Sequence, residues 1–171
     1  MDAVQYLQES LAAFEKLYAT LSPEEAVQPG PEGAWSAADF AEHLATAERG
    51  IGVLLKRGLA GEPASAEEMA ATQGKTEVIL SRVPAAPVRV EAPEQTRPSG
   101  RYGAWPGALE ALVEARKNTI ALAQQVEAGR WESVVMPHAA LGPMSGEQWL
   151  LFCAAHMERH RRQMAARFGR S

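Results

Sequence analysis

Two of the four histidines, His156 and His160, stand four residues apart in the segment S-G-E-Q-W-L-L-F-C-A-A-H-M-E-R-H-R-R-Q-M-A-A-R-F, residues 145–168. Four residues advance an α-helix by about 400°, so on a helix these imidazoles lie one above the other on one face, as two arms of a metal site would. His43 is a candidate third arm, set in A-W-S-A-A-D-F-A-E-H-L three residues after Phe40 and one before Leu44. Three neutral imidazoles with no further protein ligand leave coordination positions for water or substrate, the catalytic rather than the structural pattern for zinc. Nickel, iron or manganese would also accept imidazoles, and residue type does not choose among them. A divalent ion in an open site can lower the pKa of bound water, hold a thiol as thiolate or polarise a substrate oxygen. Such chemistry suits a metal-dependent transferase or hydrolase acting on a small molecule.

A competing reading makes the three histidines core residues, or the protein a non-catalytic metal-binding or stress-response module in which the metal, if present, only steadies the fold. Burying several imidazoles without partners is costly, which favours the metal. Two other metal motifs are excluded. In His156-Met-Glu-Arg-His160 the glutamate follows the first histidine by two residues, about 200° around the helix, so it cannot be the base of an H-E-x-x-H protease. The E-x-x-H pairs of ferritin-like di-iron bundles are absent as well.

Other residues are weaker candidates. Gln163, seven residues after His156 and on the same face, could hydrogen-bond a ligand or metal-bound water. Arg116 falls on the apolar stripe of its helix and could pair with an anionic substrate group, although long arginines also lie along apolar surface. His138 is expected to pack locally in a loop. Glu48, about 140° from His43 on a helix, is expected to face outward. The single cysteine, Cys153, cannot form an internal disulfide and reads as a small buried hydrophobe. Arg159, Arg161, Arg162, Arg167 and Arg170 complement a helix C-terminus on a solvated face.

These residues must be positioned by helices. Ser145 with Gln148 three residues on is a capping-box spacing, and Trp149, Phe152, Cys153, Met157 and Met164 continue an apolar stripe. Val4, Leu7, Leu11, Phe14, Leu17 and Leu21 predict a first helix over residues 2–20. Ser22-Pro23-Glu24-Glu25 opens a short helical turn that Pro29-Gly30-Pro31 ends. Ser36 and Asp39 start a helix reaching about Leu59, with Phe40, His43, Leu44, Ala47, Ile51 and Leu54 on one stripe. Ser65-Ala66-Glu67-Glu68 announces a minor helix. A proline-rich connection follows, with a short alternating segment from Val88 to Glu91. A further helix runs from about Trp105 to Ala128, ended by Gly129, and Trp131 to Gly142 reads as a loop.

Four long amphipathic helices with one long connection predict an all-α protein, a four-helix bundle in a single domain over residues 1–171. The chain is long enough to bury a sizeable core without disulfides. A net charge of −4 gives no reason to expect nucleic acid. The acidic, amphipathic start and the lack of any apolar run near 18 residues predict a cytoplasmic protein with no membrane partner. Exposed helix faces would allow a homodimer.

The residues Trp35-Ser36, His43-Leu44, His138-x-x-Leu141-Gly142-Pro143, Trp149 and His156-x-x-x-His160 with Gln163 resemble, in order and separation, the DinB-like (DNA-damage-inducible) family of metalloenzymes. The resemblance covers nearly the whole chain. It implies a four-helix bundle with a long crossover between helices 2 and 3, and a divalent metal held by three histidines at the positions of His43, His156 and His160. Characterised relatives include transferases and isomerases dependent on a low-molecular-weight thiol cofactor, so the resemblance admits such a thiol here. It implies no DNA binding.

Overall fold

The computed structural model describes residues 2–86, 92–103, 105–127 and 129–170. Its helices are α1 (Ala3–Tyr18), α2 (Pro23–Val27), α3 (Ala37–Ala60), α4 (Ala66–Ala70), α5 (Lys75–Arg82), α6 (Gly107–Gln125) and α7 (Gly146–Phe168). The long ones, α1, α3, α6 and α7, form a four-helix bundle. They pack along the edges α1–α7, α7–α3, α3–α6 and α6–α1, which puts α1 diagonal to α3 and α6 diagonal to α7. The diagonal pairs are joined by residues 19–36 and 126–145, while the neighbours α3 and α6 are joined by the long crossover, residues 61–106. Within it α5 lies on α7. Among the described residues no helix is long and apolar enough to cross a membrane.

Each helix carrying a histidine starts at a formed capping box. Ser36 accepts from Asp39 N–H while Asp39 accepts from Ser36 N–H, and Ser145 and Gln148 repeat the exchange at the head of α7. Such a cap contributes about 1 kcal/mol and, more usefully here, fixes the rotational phase of the helix at its first turn. The phase of α7 is fixed again by Gly146, whose N–H donates to the Trp131 and Val134 carbonyls. A Cβ at that glycine would lie 2.5 Å from the Trp131 ring, so only glycine lets the helix start so close to it.

The core falls into two apolar clusters. One gathers Leu7, Ile51, Leu55, Ile79, Trp131 and Trp149 with their neighbours, the other Leu11, Phe14, Leu44, Leu112, Met157 and Met164 with theirs. On three of the four long helices a polar residue sits between members of the two clusters: Ser10 on α1, Glu48 on α3, Arg116 on α6. They meet as one buried polar layer.

Several local features differ from expectation. Residues expected in a loop form a hairpin, β1 (Val135–His138) and β2 (Gly142–Ser145), with Pro137 opposite Pro143. A proline in each four-residue strand removes a donor and argues against a strand by sequence. The pair persists because Met136 and Met144 turn inward to the core, while Gly142 takes a left-handed φ of 70° at the turn. The minor helix is two helices, divided at Gly74 with φ 76°. The sixth helix ends at Gln125 rather than near Ala128. The alternating segment Val88 to Glu91 lies outside the described residues.

Candidate metal centre

His43 comes from α3, and His156 and His160 from α7, so the three meet across one edge of the bundle. His156 Nε2 lies 3.3 Å from His43 Nε2 and 3.0 Å from His160 Nε2, and one nitrogen of each ring lies within 4.8 Å of the others. A metal about 2.0–2.1 Å from each imidazole nitrogen would hold such nitrogens about 2.9 Å apart at octahedral angles and about 3.3 Å apart at tetrahedral ones. Both distances from His156 Nε2 fall in this range.

The far side of two rings explains why these nitrogens are the ones presented. His43 Nδ1 lies 2.8 Å from the Thr96 carbonyl, and His160 Nδ1 lies 2.8 Å from Gln163 Oε1. Both partners are oxygens that can only accept, so both Nδ1 atoms carry the proton and both Nε2 atoms keep a lone pair. His156 Nε2 can donate a proton to one of these lone pairs, never to both. One nitrogen contact is therefore left repulsive unless a cation sits among the three, which is the arrangement that outer partners impose on metal-ligating histidines.

Electrostatics keep the rings neutral. Burial lowers the pKa of all three imidazoles, and each positive charge would also act on its neighbours. His156 is held well below the ordinary imidazole value by desolvation first, then by His160 and His43. His160 is pushed down to about 3, chiefly by burial. His43 is lowered by burial against the raising effect of the Thr96 carbonyl. Arg159 contributes in the same direction at each of the three. A neutral imidazole is the ligand form, so the site is in its metal-binding protonation state at neutral pH.

Aromatic rings border the cluster. Trp35 lies 4.9 Å from His43, Phe40 lies 5.3 Å from His160, and Phe152 stacks on His156 at 5.6 Å and 15°. All three are half-buried. Arg167 of α7 donates to the Trp35 and Gln28 carbonyls and ties the Trp35 segment to the bundle end. Two surface concavities, of about 380 Å³ beside α4 and the start of α7 and about 210 Å³ between α3 and α6, contain none of the three histidines.

The structure thus brings His43, His156, His160 and Gln163 together. Gln163 contacts a histidine rather than open space, and its Nε2 is buried without a partner among the described residues. Arg116 is placed elsewhere. It is 0% exposed, and all five of its N–H groups are used, on Glu48 Oε1 and Oε2, the Leu7 and Cys153 carbonyls and Ser10 Oγ. No N–H remains for a bound anion. Its partner Glu48, expected outside, is 4% exposed, because α3 is covered along more than one flank by α6 and α7. His138 is local to the hairpin: its Nδ1 accepts from Ala140 and Leu141 N–H, and its ring packs edge-on to Phe152. Cys153 is buried with its thiol pKa raised by desolvation, hence unreactive. Of the arginine cluster, Arg161 and Arg162 pair with Glu158, and Arg170 with Glu25.

Sequence reasoning did not single out Thr96, and it placed Phe152 on the apolar stripe and Arg159 on a solvated helix end rather than at the site. Phe152, His156 and His160 share a four-residue spacing, so the ring could have been read from the stripe. A backbone carbonyl carries no such signal.

Similarity to known proteins agrees with this fold. The structure of YfiT from Bacillus subtilis, described as a probable metal-dependent hydrolase with an unusual four-helix bundle topology, superposes with a TM-score of 0.62. The superposition covers 99% of this chain and 87% of that one at 17% identity, a likeness of fold. Among curated proteins none matches. The sequence profile of the DinB superfamily matches residues 6–164, and the chain belongs to that superfamily.

Proposed function

We propose that the protein is a divalent-metal-dependent enzyme acting on a small molecule, with hydrolysis as its leading reaction. The observation that carries the reading is the convergence of three Nε2 atoms, two of them fixed as lone pairs by the Thr96 carbonyl and Gln163 Oε1. The description of YfiT as a probable metal-dependent hydrolase on the same fold supports hydrolysis. A bound divalent ion would supply Lewis acidity, lowering the pKa of water and polarising a substrate oxygen.

The chain's own residues have separate parts in this. His43, His156 and His160 hold the ion. Thr96 and Gln163 fix the ring orientation and tautomer of two of them. Trp35, Phe40 and Phe152 border the centre with apolar surface, which limits water and offers contact to the body of a substrate. The Arg159 charge, felt at all three rings, favours negative charge developing at the centre.

Elemental analysis of untagged protein, parent beside His160→Ala, tests the reading. Near-stoichiometric divalent metal in the parent and its loss in the variant are expected. With the metal identified, ester and amide substrates are assayed with and without a low-molecular-weight thiol. Turnover only with the thiol would replace hydrolysis by thiol transfer. Metal without turnover on any substrate would favour the non-catalytic module, and a parent that takes up no metal would return the histidines to the core.

A further inference from the structure

Glu42 precedes His43 on α3, and the two side chains leave the helix about 100° apart. Both grip the same piece of the crossover. Glu42 is 3% exposed. Its Oε1 accepts from Ser99 N–H at 2.6 Å, Ser99 Oγ at 3.2 Å, Arg101 N–H at 3.4 Å and Arg101 Nε at 3.3 Å, and its Oε2 accepts from Gly100 N–H at 3.0 Å. Three successive backbone N–H groups thus converge on one carboxylate, an anion-binding nest filled by the protein itself. Gly100, at φ 75°, supplies the left-handed step that turns them inward. Arg101 closes the turn on its other side, donating to the Gln95 and Arg97 carbonyls. Those carbonyls flank Thr96, whose own carbonyl meets His43 Nδ1.

We propose that Glu42 is a positioning residue for the metal centre. By holding residues 94–101 it keeps the Thr96 carbonyl on His43 Nδ1, and so keeps the His43 lone pair on Nε2 and aimed at the other two histidines. The proposal rests on the metal-site reading above. A loop carbonyl has no rigidity of its own, whereas a buried carboxylate with five donors does not release its loop without leaving those groups unsatisfied. Once the carbonyl is lost, His43 can place its proton on Nε2, where it opposes a cation.

The test is zinc titration of metal-free parent, Glu42→Gln, Glu42→Ala, His43→Ala and the Glu42→Ala/His43→Ala double variant, with helical content followed by circular dichroism. Zinc affinity is expected to fall about 10- to 100-fold in Glu42→Ala, the usual scale for an outer partner of a metal ligand. In the His43→Ala background the same change should alter affinity less than about twofold, since a residue acting through His43 has nothing left to act on. Parent-like affinity in folded Glu42→Ala overturns the proposal, and so does an equal loss in the His43→Ala background. Should Glu42→Ala fail to fold, Glu42→Gln, which keeps the size of the side chain and removes its charge, carries the same cycle. A parent that binds no zinc defeats the metal reading, and ring ¹⁵N spectra then decide the positioning. His43 protonated at Nδ1 in the parent and redistributed to Nε2 in Glu42→Gln upholds it, and unchanged spectra overturn it.

Discussion

His160 shows what the burial of a ligand imposes on a single residue. Its pKa in the fold, pushed down to about 3, lies below the value near 6.5 of a free imidazole. Between these values the unfolded chain takes up a proton that the folded chain refuses, so the stability present above about pH 6.5 is lost as the pH falls. His43 and His156 are lowered too and act in the same sense. Replacing His160 by Gln removes one of the three protons. In metal-free protein the parent should therefore lose about 2 kcal/mol more than His160→Gln on going from pH 7 to pH 5, as measured by urea denaturation at each pH. Parallel losses in the two proteins would mean that the ring titrates normally in the fold. The same neutrality explains the ligand set, since a cation can be held only by an imidazole that has surrendered its second proton. It explains the outer partners as well. Gln163 and the Thr96 carbonyl act on tautomer, which burial leaves open.

At the scale of elements, the long helices are joined across their polar layer by Arg116. It reaches from α6 to Glu48 on α3, to Leu7 and Ser10 on α1 and to Cys153 on α7. Arg116→Met would leave the Glu48 carboxylate enclosed without a counter-charge and should cost about 3–5 kcal/mol in urea unfolding. Pairing it with Glu48→Leu should recover much of that loss, because the remaining acceptors on α1 and α7 are helix carbonyls and a hydroxyl that can bond within their own helix. A double variant as unstable as the sum of the single changes would show that the brace does more than neutralise Glu48. This layer marks where the sequence stops being legible. Periodicity and caps reveal α1, α3 and α7 closely, because the apolar stripe and the Ser36 and Ser145 boxes are local signals. His156 and His160 are readable for the same reason. Glu48 is not, because a helical wheel gives its angle from His43 but says nothing of a second flank covered by α6. The hairpin is hidden by Pro137 and Pro143, whose local preference is overridden by burial of Met136 and Met144. Thr96 is invisible for a deeper reason. It acts through its backbone, at a place fixed by the crossover's return to α3.

For the whole molecule the question is whether the metal builds the fold or uses it. The histidines bind α3 to α7, yet apolar contact holds the same helices together in both core clusters. Ile51, Leu55, Leu150 and Leu151 pack in one of them, Leu44 and Met157 in the other. A chain of 171 residues buries roughly 70% of its extended surface, enough for a core to stand without a structural ion. In small zinc modules, by contrast, the ligands replace the core and the metal-free chain unfolds. Protein treated with chelator should accordingly keep its helical circular dichroism and melt in one cooperative transition. Zinc should then raise its stability as a ligand does, by about 2.7 kcal/mol when free metal stands a hundredfold above Kd. Collapse of the helical signal on chelation would make the metal a structural ion and shift the weight to the non-catalytic reading. Persistence of the fold leaves the three imidazoles held in place before any ion arrives, with their mutual repulsion unrelieved. A bundle that carries this cost in its metal-free state has the ready-made geometry of a reaction centre.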